Sequence, residues 1–325
     1  MRPTGKLHLG HYHGVLKNWI KLQHEFDCFF FVADWHALTT HYDDTGVIED
    51  SVWEMVIDWI AAGIEPSAAS LFLQSKVPEH AELHLLLSMI TPLSWLERVP
   101  TYKDQQEKLK EKDLSNYGFL GYPLLQSADI LIYRAGQVPV GEDQVVHVEL
   151  TREVARRFNH LYGRESDFEE KAEAAIKKMG KKNAKLYNQK MSKSYGNTIA
   201  LREPESSLAE KIKKMPTDTN RVRRTDPGNP DLCPVWQLHE IYATEDQKDW
   251  VQTGCRTAGI GCLDCKGPLI DAIAAELKPI RERAENLSEH PEEVRRIIED
   301  GNESVREVAR DTLNEVRSAM GLSYK

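Results

Sequence analysis

The fold is decided by a stretch near the start of the chain, Arg2-Pro3-Thr4-Gly5-Lys6-Leu7-His8-Leu9-Gly10-His11. Apolar residues at helical spacing follow it between positions 15 and 22, so the pattern predicts a loop that leads into a helix. Gly5 and Gly10 let the backbone approach a phosphate, and the helix N-terminus offers unpaired N–H groups and a positive dipole end. His8 and His11 lie three residues apart and share a face from which both rings can donate to phosphate oxygens. The stretch predicts a site for the phosphates of ATP; a plain turn with two surface histidines is the alternative.

A second short motif lies far downstream, Lys190-Met191-Ser192-Lys193-Ser194. Its two lysines bracket a polar loop with two hydroxyl groups. Ammonium groups on a loop can follow the negative charge that builds on a departing pyrophosphate, and charge stabilised only in the transition state raises the rate. Taken alone, the motif also fits a solvated Lys/Ser loop. Together, the two motifs predict adenylate-forming chemistry on ATP.

The two motifs resemble the "HIGH" and "KMSKS" signatures of class I aminoacyl-tRNA synthetases. The resemblance covers nearly the whole chain and implies a Rossmann-type catalytic domain that works with ATP and Mg²⁺. It implies that the catalytic residues are His8, His11, Lys190 and Lys193. The ATP-binding residues that it implies in these two motifs are Arg2, Pro3, Thr4, Gly10, His11, Lys190, Met191, Ser192, Lys193 and Ser194.

The middle of the chain carries the candidate amino-acid pocket. On a helix, Tyr122, Gln126 and Asp129 share a face, and a carboxylate there can accept a hydrogen bond from an indole N–H or a phenol O–H. This region resembles the tryptophanyl- and tyrosyl-tRNA synthetase subgroup, and its tryptophanyl branch more closely. By that resemblance Asp129 binds the indole nitrogen. A tyrosine pocket is the alternative within the subgroup.

Two further stretches complete the predicted site. Gly141-Glu142-Asp143-Gln144 resembles the subgroup's "GEDQ" turn, which implies that Gly141, Glu142 and Asp143 bind the ATP ribose and that Gln144 binds tryptophan. His36 follows the apolar run from Phe29 to Val32, at the carboxyl end of a predicted strand, where α/β sheets place their ligands. We therefore predict that His36 lines the tryptophan pocket; a packed core histidine is the alternative.

Four of the five cysteines lie in the C-terminal third, at Cys233, Cys255, Cys262 and Cys265. A Cys-x-x-Cys unit with two more cysteines nearby predicts a bound metal. Disulfides are disfavoured, because nothing in the sequence marks secretion. Four thiolates suit tetrahedral zinc or a four-iron cluster. Their spacing resembles a bacterial subset of the subgroup that binds a [4Fe-4S] cluster, so the resemblance implies [4Fe-4S], with zinc as the alternative.

Length and composition fit a two-domain protein of 325 residues, with 41% hydrophobic and 29% charged residues. Up to about residue 200, strand-like runs at 29–32, 70–73 and 138–140 alternate with helical patterns, which predicts an α/β fold with a doubly wound parallel sheet. Residues 201–325 show helical periodicity, and the resemblance implies that they form the anticodon-binding domain, which includes the four-cysteine metal site. No signal peptide or membrane-length apolar run is present, so we predict a cytoplasmic protein.

The net charge of −9 argues against nucleic-acid binding only if the charge is spread evenly. A lysine-rich stretch at 171–193 and a cluster at Arg221, Arg223 and Arg224 are candidate tRNA contacts, with solvated charge runs as the alternative. The resemblance thus implies a tryptophan–tRNA ligase that uses ATP, L-tryptophan and tRNA(Trp) and works as a homodimer. A non-catalytic synthetase-like protein that binds nucleotide or tRNA is the alternative from another class. That alternative is favoured by the start of the chain at the phosphate loop, where the family has a strand and Ser-Gly before it.

Overall fold

A computed structural model of the chain describes residues 1–99, 115–141, 144–163 and 198–324. Its sheet consists, in this part of the chain, of two parallel strands, β1 (Cys28–Val32) and β2 (Ala69–Leu73). They pair in register from Cys28 opposite Ala69 to Val32 opposite Leu73. Both strands are short apolar runs, as expected for parallel strands covered on both faces. The strands predicted at 29–32 and 70–73 are confirmed.

Helices precede and connect the two strands. The helix that follows the phosphate loop has three parts, α1 (Leu9–His11), a π-helical segment (Tyr12–Leu16) and α2 (Lys17–Leu22). Helices α3 (Asp34–His41) and α4 (Gly46–Ala62) connect β1 to β2. Single π-helical turns of this kind are frequently found at functional sites.

The remaining helices follow β2. In the first half of the chain they are α5 (Glu79–Ser88), α6 (Leu93–Glu97), α7 (Tyr117–Leu131) and α8 (Val145–Tyr162). Beyond residue 200 they are α9 (Glu205–Lys214), α10 (Pro234–Tyr242), α11 (Glu245–Arg256), α12 (Cys262–Glu289) and α13 (Pro291–Ala319). The helical character predicted for residues 201–325 is confirmed.

The strand predicted at Val138–Val140 is wrong. These residues lie in irregular backbone between α7 and α8. Pro139 has no N–H to donate to a sheet ladder, and proline is rare inside strands for that reason. The alternation of apolar residues at 138 and 140 therefore reflects partial burial of a loop.

The two faces of the sheet contact different cores. Phe30, Val32, Leu71 and Leu73 point into a core that includes α4 and α12, with Trp59 fully buried in it. The intervening strand residue Phe72 belongs to a second core that includes α5, α7, α8 and α13. This alternation follows from the two-residue period of a strand. Helices on both faces are the doubly wound arrangement that the sequence predicts.

The last helix closes the outer side of β2. Gly301 in α13 approaches the strand so closely that a Cβ atom there would clash with the carbonyl oxygen of Leu71. The next residue, Asn302, accepts a hydrogen bond from the backbone N–H of Leu73 through its Oδ1 at 3.0 Å. Glu79 of α5 forms ion pairs with Arg306 and Arg310 of α13. Both cores thus include residues from beyond position 200, and the division into domains 1–200 and 201–325 stays a prediction.

Across the described ranges, the helices are too short or too polar to cross a membrane.

Candidate active site and metal centre

The phosphate-binding loop has the tight backbone that its glycines predict. Gly5 has a φ of 104°, in the left-handed region that favours glycine, and its N–H donates to Ser51 Oγ of α4 at 2.8 Å. Arg2 is exposed, Pro3 is buried and Thr4 is half-buried. The loop is therefore fixed to α4.

His8 and His11 lie side by side at the start of the helix. His8 is the N-cap residue of α1, where its Nδ1 accepts from the N–H of Gly10 at 3.1 Å. The backbone N–H of His8 donates to His11 Nδ1 at 3.2 Å, and the two ring centroids are 3.9 Å apart. Both rings thus use Nδ1 as an acceptor from the backbone. The Nε2 atoms then carry the protons and can donate to an anion.

The second motif lies next in sequence to a segment that contacts this loop. Leu9 N–H donates to the carbonyl of Ile199 and Leu201 N–H donates to the carbonyl of Leu7, both at 3.0 Å. Described structure resumes at Thr198, shortly after Ser194. The predicted residues that lie outside the described part are Glu142, Asp143, Lys190, Met191, Ser192, Lys193 and Ser194.

A charged network fixes the other end of the phosphate-loop helix to the C-terminal helices. Glu276 of α12 accepts from Lys17 Nζ at 2.7 Å and lies 3.4 Å from His13 Nε2. His13 Nε2 is also 2.6 Å from the hydroxyl of Tyr242 at the end of α10. Burial alone would raise the pKa of Glu276, but its bonds to His13, Lys17 and Tyr242 lower that pKa to about 2. Glu276 is therefore ionised at neutral pH.

Asp129 is the centre of the candidate amino-acid site. It lies in α7, is 4% exposed, and receives His36 Nε2 on Oδ2 at 2.7 Å. Its Oδ1 receives Gln74 Nε2 at 2.8 Å and His80 Nδ1 at 2.6 Å. Burial alone would raise the pKa of Asp129, but His36 and His80 together hold it well below its ordinary value. A buried carboxylate that stays ionised can accept a hydrogen bond from a ligand.

Two of the hydrogen-bond partners of Asp129 follow the carboxyl ends of the two strands, at the same edge of the sheet. His36 lies just after β1, and Gln74 follows β2 directly. Asp34, also just after β1, accepts from the N–H of Ser75 at 3.1 Å and holds the two strand ends together. The predicted position of His36 at the carboxyl edge of the sheet is confirmed.

The other predicted tryptophan residues lie around this centre. Tyr122 is half-buried on α7, with its ring 6.3 Å from that of His36 and its hydroxyl 3.4 Å from His147 Nε2. Gln126 is half-buried on the same helix. Gln144 donates its backbone N–H to the carbonyl of Gly141 at 3.0 Å, just before α8.

A cavity of about 510 Å³ opens between α3 and α7. Tyr122 lines it, and Trp35, Leu38 and His84 line it as well, whereas Asp129 and His36 do not. Tyr122 therefore belongs both to the wall of this cavity and to the surroundings of His36, which binds Asp129. Its walls are mostly apolar and aromatic, which suits the binding of a flat aromatic ring.

The four cysteines of the C-terminal third line one small cavity of about 20 Å³. Cys233 caps the start of α10, Cys255 lies in the last turn of α11, and Cys262 and Cys265 lie in the first turn of α12. Gly228 lies so close to this cavity that a Cβ atom there would be 2.6 Å from Cys255 Sγ. Three helix ends thus bring together residues that are far apart in the sequence.

The comparisons with known proteins add to this geometry. The sequence model for tRNA synthetases class I (W and Y) matches residues 1–278. The chain belongs to this family. The tryptophan–tRNA ligase of Ralstonia nicotianae is 57% identical, over 100% of this chain and 98% of that protein. The tryptophan–tRNA ligase of Thermotoga maritima is 52% identical, with the same coverage.

A solved structure gives the same result for the fold of this class I synthetase. The tryptophanyl-tRNA synthetase from Campylobacter jejuni, complexed with ADP and tryptophan, superimposes with a TM-score of 0.83 at 29% sequence identity. The match covers 99% of this chain and 98% of that chain. The doubly wound fold class is therefore confirmed.

The cysteine cavity of this synthetase is a candidate site for a metal group. Among the described residues, no group of three or more His, Cys, Asp or Glu side chains is placed to hold a metal ion. Burial, and then the charges of the three neighbouring thiolates, raises the pKa of Cys265 to about 12. Four thiolates can therefore ionise together here only around a cation. The donor set, four cysteine sulfurs that line one cavity, suits a metal group.

Sequence reasoning missed Gln74, His80 and Tyr133, which join the site through Asp129 or its partners. Gln74 had a usable signal, because it is the first polar residue after an apolar strand, as Asp34 is after β1. His80 and Tyr133 carried no comparable signal. Their role depends on how α5 packs against α7.

Proposed function

We propose that this chain is a tryptophan–tRNA ligase. In the proposed reaction the tryptophan carboxylate attacks the α-phosphorus of ATP, giving tryptophanyl-adenylate and pyrophosphate. The acyl group then passes to the terminal adenosine of tRNA(Trp). Support comes from the family, from relatives at 57% and 52% identity that are named tryptophan–tRNA ligases, and from the site itself. The observation that carries the proposal is the buried, ionised carboxylate of Asp129 at the carboxyl edge of the sheet.

The proposed roles follow from the chemistry of each group. His8 and His11 present two donors to the phosphates beside Gly10, and Lys190 and Lys193 neutralise charge on the leaving pyrophosphate. Mg²⁺ bound with ATP would neutralise further phosphate charge. Gly141, Glu142 and Asp143 hold the ribose, while Asp129, Tyr122, Gln126, His36 and Gln144 form the tryptophan pocket. Positioning and charge stabilisation supply most of the rate, since the step needs little acid–base chemistry.

Pyrophosphate exchange tests this function. Purified protein should incorporate radiolabelled pyrophosphate into ATP when tryptophan is present and not when tyrosine replaces it. Exchange with tyrosine only would move the chain to the tyrosyl branch of the family. Absence of exchange with both amino acids, together with retained binding of ATP or tRNA, would support the non-catalytic alternative.

We also propose a [4Fe-4S] cluster on Cys233, Cys255, Cys262 and Cys265. The four sulfurs line one cavity, and four cysteines that include a Cys-x-x-Cys unit suit a four-iron cluster. When bound, such a group contributes folding energy to the segments that ligate it. Zinc remains the alternative occupant.

Anaerobic purification tests the cluster directly. The protein should be brown and contain about four irons per chain with matching acid-labile sulfide. Cys265→Ser should lose most of this iron, while Cys28→Ser, which changes a half-buried thiol on β1, should keep it. A colourless protein with one zinc per chain would contradict the assignment.

The tRNA and subunit partners belong to the same proposal. Arg223 and Arg224 are exposed beside the cysteine helices, and Arg224 lies 3.5 Å from Asp264 of α12. We place the anticodon contact there, which aminoacylation of a tRNA(Trp) transcript would test. The exposed apolar side chains Leu85, Met89 and Leu93 suit a homodimer contact, and light scattering should then give twice 37.1 kDa. The proposal includes a cytoplasmic location, because ribosomes use the product.

A further inference from the structure

The contacts of Asp129 leave little acceptor capacity for a ligand. An ionised carboxylate has about four lone-pair positions. Gln74 and His80 donate to Oδ1, and His36 donates to Oδ2, so one position remains, on Oδ2. Gln74 cannot reverse its amide, because its carbonyl oxygen would then face the carboxylate. The geometry therefore selects a ligand with a single N–H or O–H donor at that point.

His80 is held on its far side by a tyrosine. The Tyr133 hydroxyl lies 2.7 Å from His80 Nε2. Burial first, and then the charges of Asp129 and Glu79, raises the pKa of Tyr133, so the phenol keeps its proton and donates it to Nε2. His80 must then carry its own proton on Nδ1, which is the atom that lies 2.6 Å from Asp129 Oδ1. The Asp129 carboxylate can only accept, so it requires the proton of His80 on Nδ1, and Tyr133 pairs with Nε2 and holds the far side of the ring in place.

The rings of Tyr133 and His80, which together form a relay of hydrogen bonds to Asp129, are fixed by aromatic packing. Tyr133 stacks on Phe29 of β1 with ring centroids 5.0 Å apart, and meets Phe72 of β2 edge-on at 5.6 Å. His80 lies 5.8 Å from Phe31 and is fully buried. Both strands therefore position the relay. A Tyr133→Phe change would remove the hydroxyl and leave the ring packing in place.

We propose that His80, held in place by the hydrogen bond of Tyr133 to its Nε2, is a positioning residue that orients the Asp129 carboxylate so that its last acceptor position faces the ligand N–H. The proposal rests on the proposed function, since it takes the indole N–H of tryptophan as that ligand. It assigns specificity to two residues that do not themselves contact the substrate. Selection against ligands without the N–H then depends on how rigidly the carboxylate is held.

The test compares tryptophan with benzothienylalanine, in which sulfur replaces the indole N–H. We measure kcat/KM for both compounds in pyrophosphate exchange, and their ratio reports the hydrogen bond to Asp129. In Tyr133→Phe the preference for tryptophan should fall about tenfold, and in His80→Ala about a hundredfold. In His80→Asn, whose amide keeps a donor near the place of Nδ1, the preference should stay within about threefold of that of the wild type.

Controls separate positioning from general loss of structure. Tyr162→Phe changes a half-buried tyrosine at the end of α8 and should leave the ratio unchanged. If Tyr133→Phe and His80→Ala lower activity on both compounds equally, the residues are only structural and the proposal is overturned. If wild-type protein shows no tryptophan-dependent exchange, the proposed function itself fails, a result distinct from an unchanged ratio in active variants.

Discussion

Replacing Asp129 with asparagine is expected to lower kcat/KM for tryptophan in pyrophosphate exchange by about 10³- to 10⁴-fold. The amide keeps the shape of the side chain but carries only one acceptor oxygen. Its NH₂ group would face one of the donors from His36, Gln74 or His80. Two buried donors that face each other are both left without an acceptor. The acceptor for the indole N–H would lose its charge, its orientation or both.

A matched variant distinguishes this effect from loss of stability. Asp218 is also a buried carboxylate, and it accepts backbone N–H bonds from Asn220 and Asn229 near the cysteine helices. Asp218→Asn should lower thermal stability while kcat/KM for tryptophan stays within about threefold of the wild-type value. A folded Asp129→Asn protein whose kcat/KM is within tenfold of that value would contradict the role given to Asp129.

Replacing Glu276 with glutamine is expected to lower the free energy of unfolding at pH 7 by about 3 kcal/mol. The pKa of this carboxyl is lowered from 4.5 to about 2 in the folded protein by His13, Lys17 and Tyr242. A lowered pKa contributes stability that is fully present above the unfolded value and is lost as the pH falls through the folded value. The contribution of Glu276 is therefore complete above about pH 5 and disappears between about pH 4.5 and pH 2.

Urea unfolding at pH 7 and pH 3 measures this dependence. The difference between wild type and Glu276→Gln should be largest at pH 7 and clearly smaller at pH 3. Glu303→Gln, at an exposed position on α13, serves as the control and should match the wild type at both values. A difference for Glu276→Gln that stays constant with pH would contradict the ion-pair account, because a packing effect does not depend on protonation.

The features predicted correctly from sequence are those that local patterns determine. The apolar runs at 29–32 and 70–73 form the two strands because five-residue apolar segments between helices are buried on both faces. The glycines of the first motif predicted the loop that precedes α1, and Gly5 adopts a positive φ in that loop. The run at 138–140 had a similar apolar pattern, but Pro139 made it unsuitable for a sheet.

The partners of the charged groups could not be predicted in the same way. His80 meets Asp129 across 49 residues, and Lys17 meets Glu276 across 259. Such pairs depend on how whole helices pack, and no local pattern encodes that packing. Sequence singled out Asp129 and the four cysteines because their residue types and spacing resemble a known family, and their roles stay predictions. It did not identify the second layer of residues that holds them.

The contact between Asn302 and Leu73 has a consequence for how this protein folds during translation. The N–H of Leu73 finds its side-chain acceptor only 229 residues later in the chain. During translation, β2 therefore emerges from the ribosome long before the helix that covers it. The nascent N-terminal half must carry an open strand edge until α13 is made, and such edges invite pairing with other chains. Maturation of this fold is thus completed after nearly all of its residues have been synthesised, and nascent chains truncated before α13 should depend on chaperones to stay unaggregated.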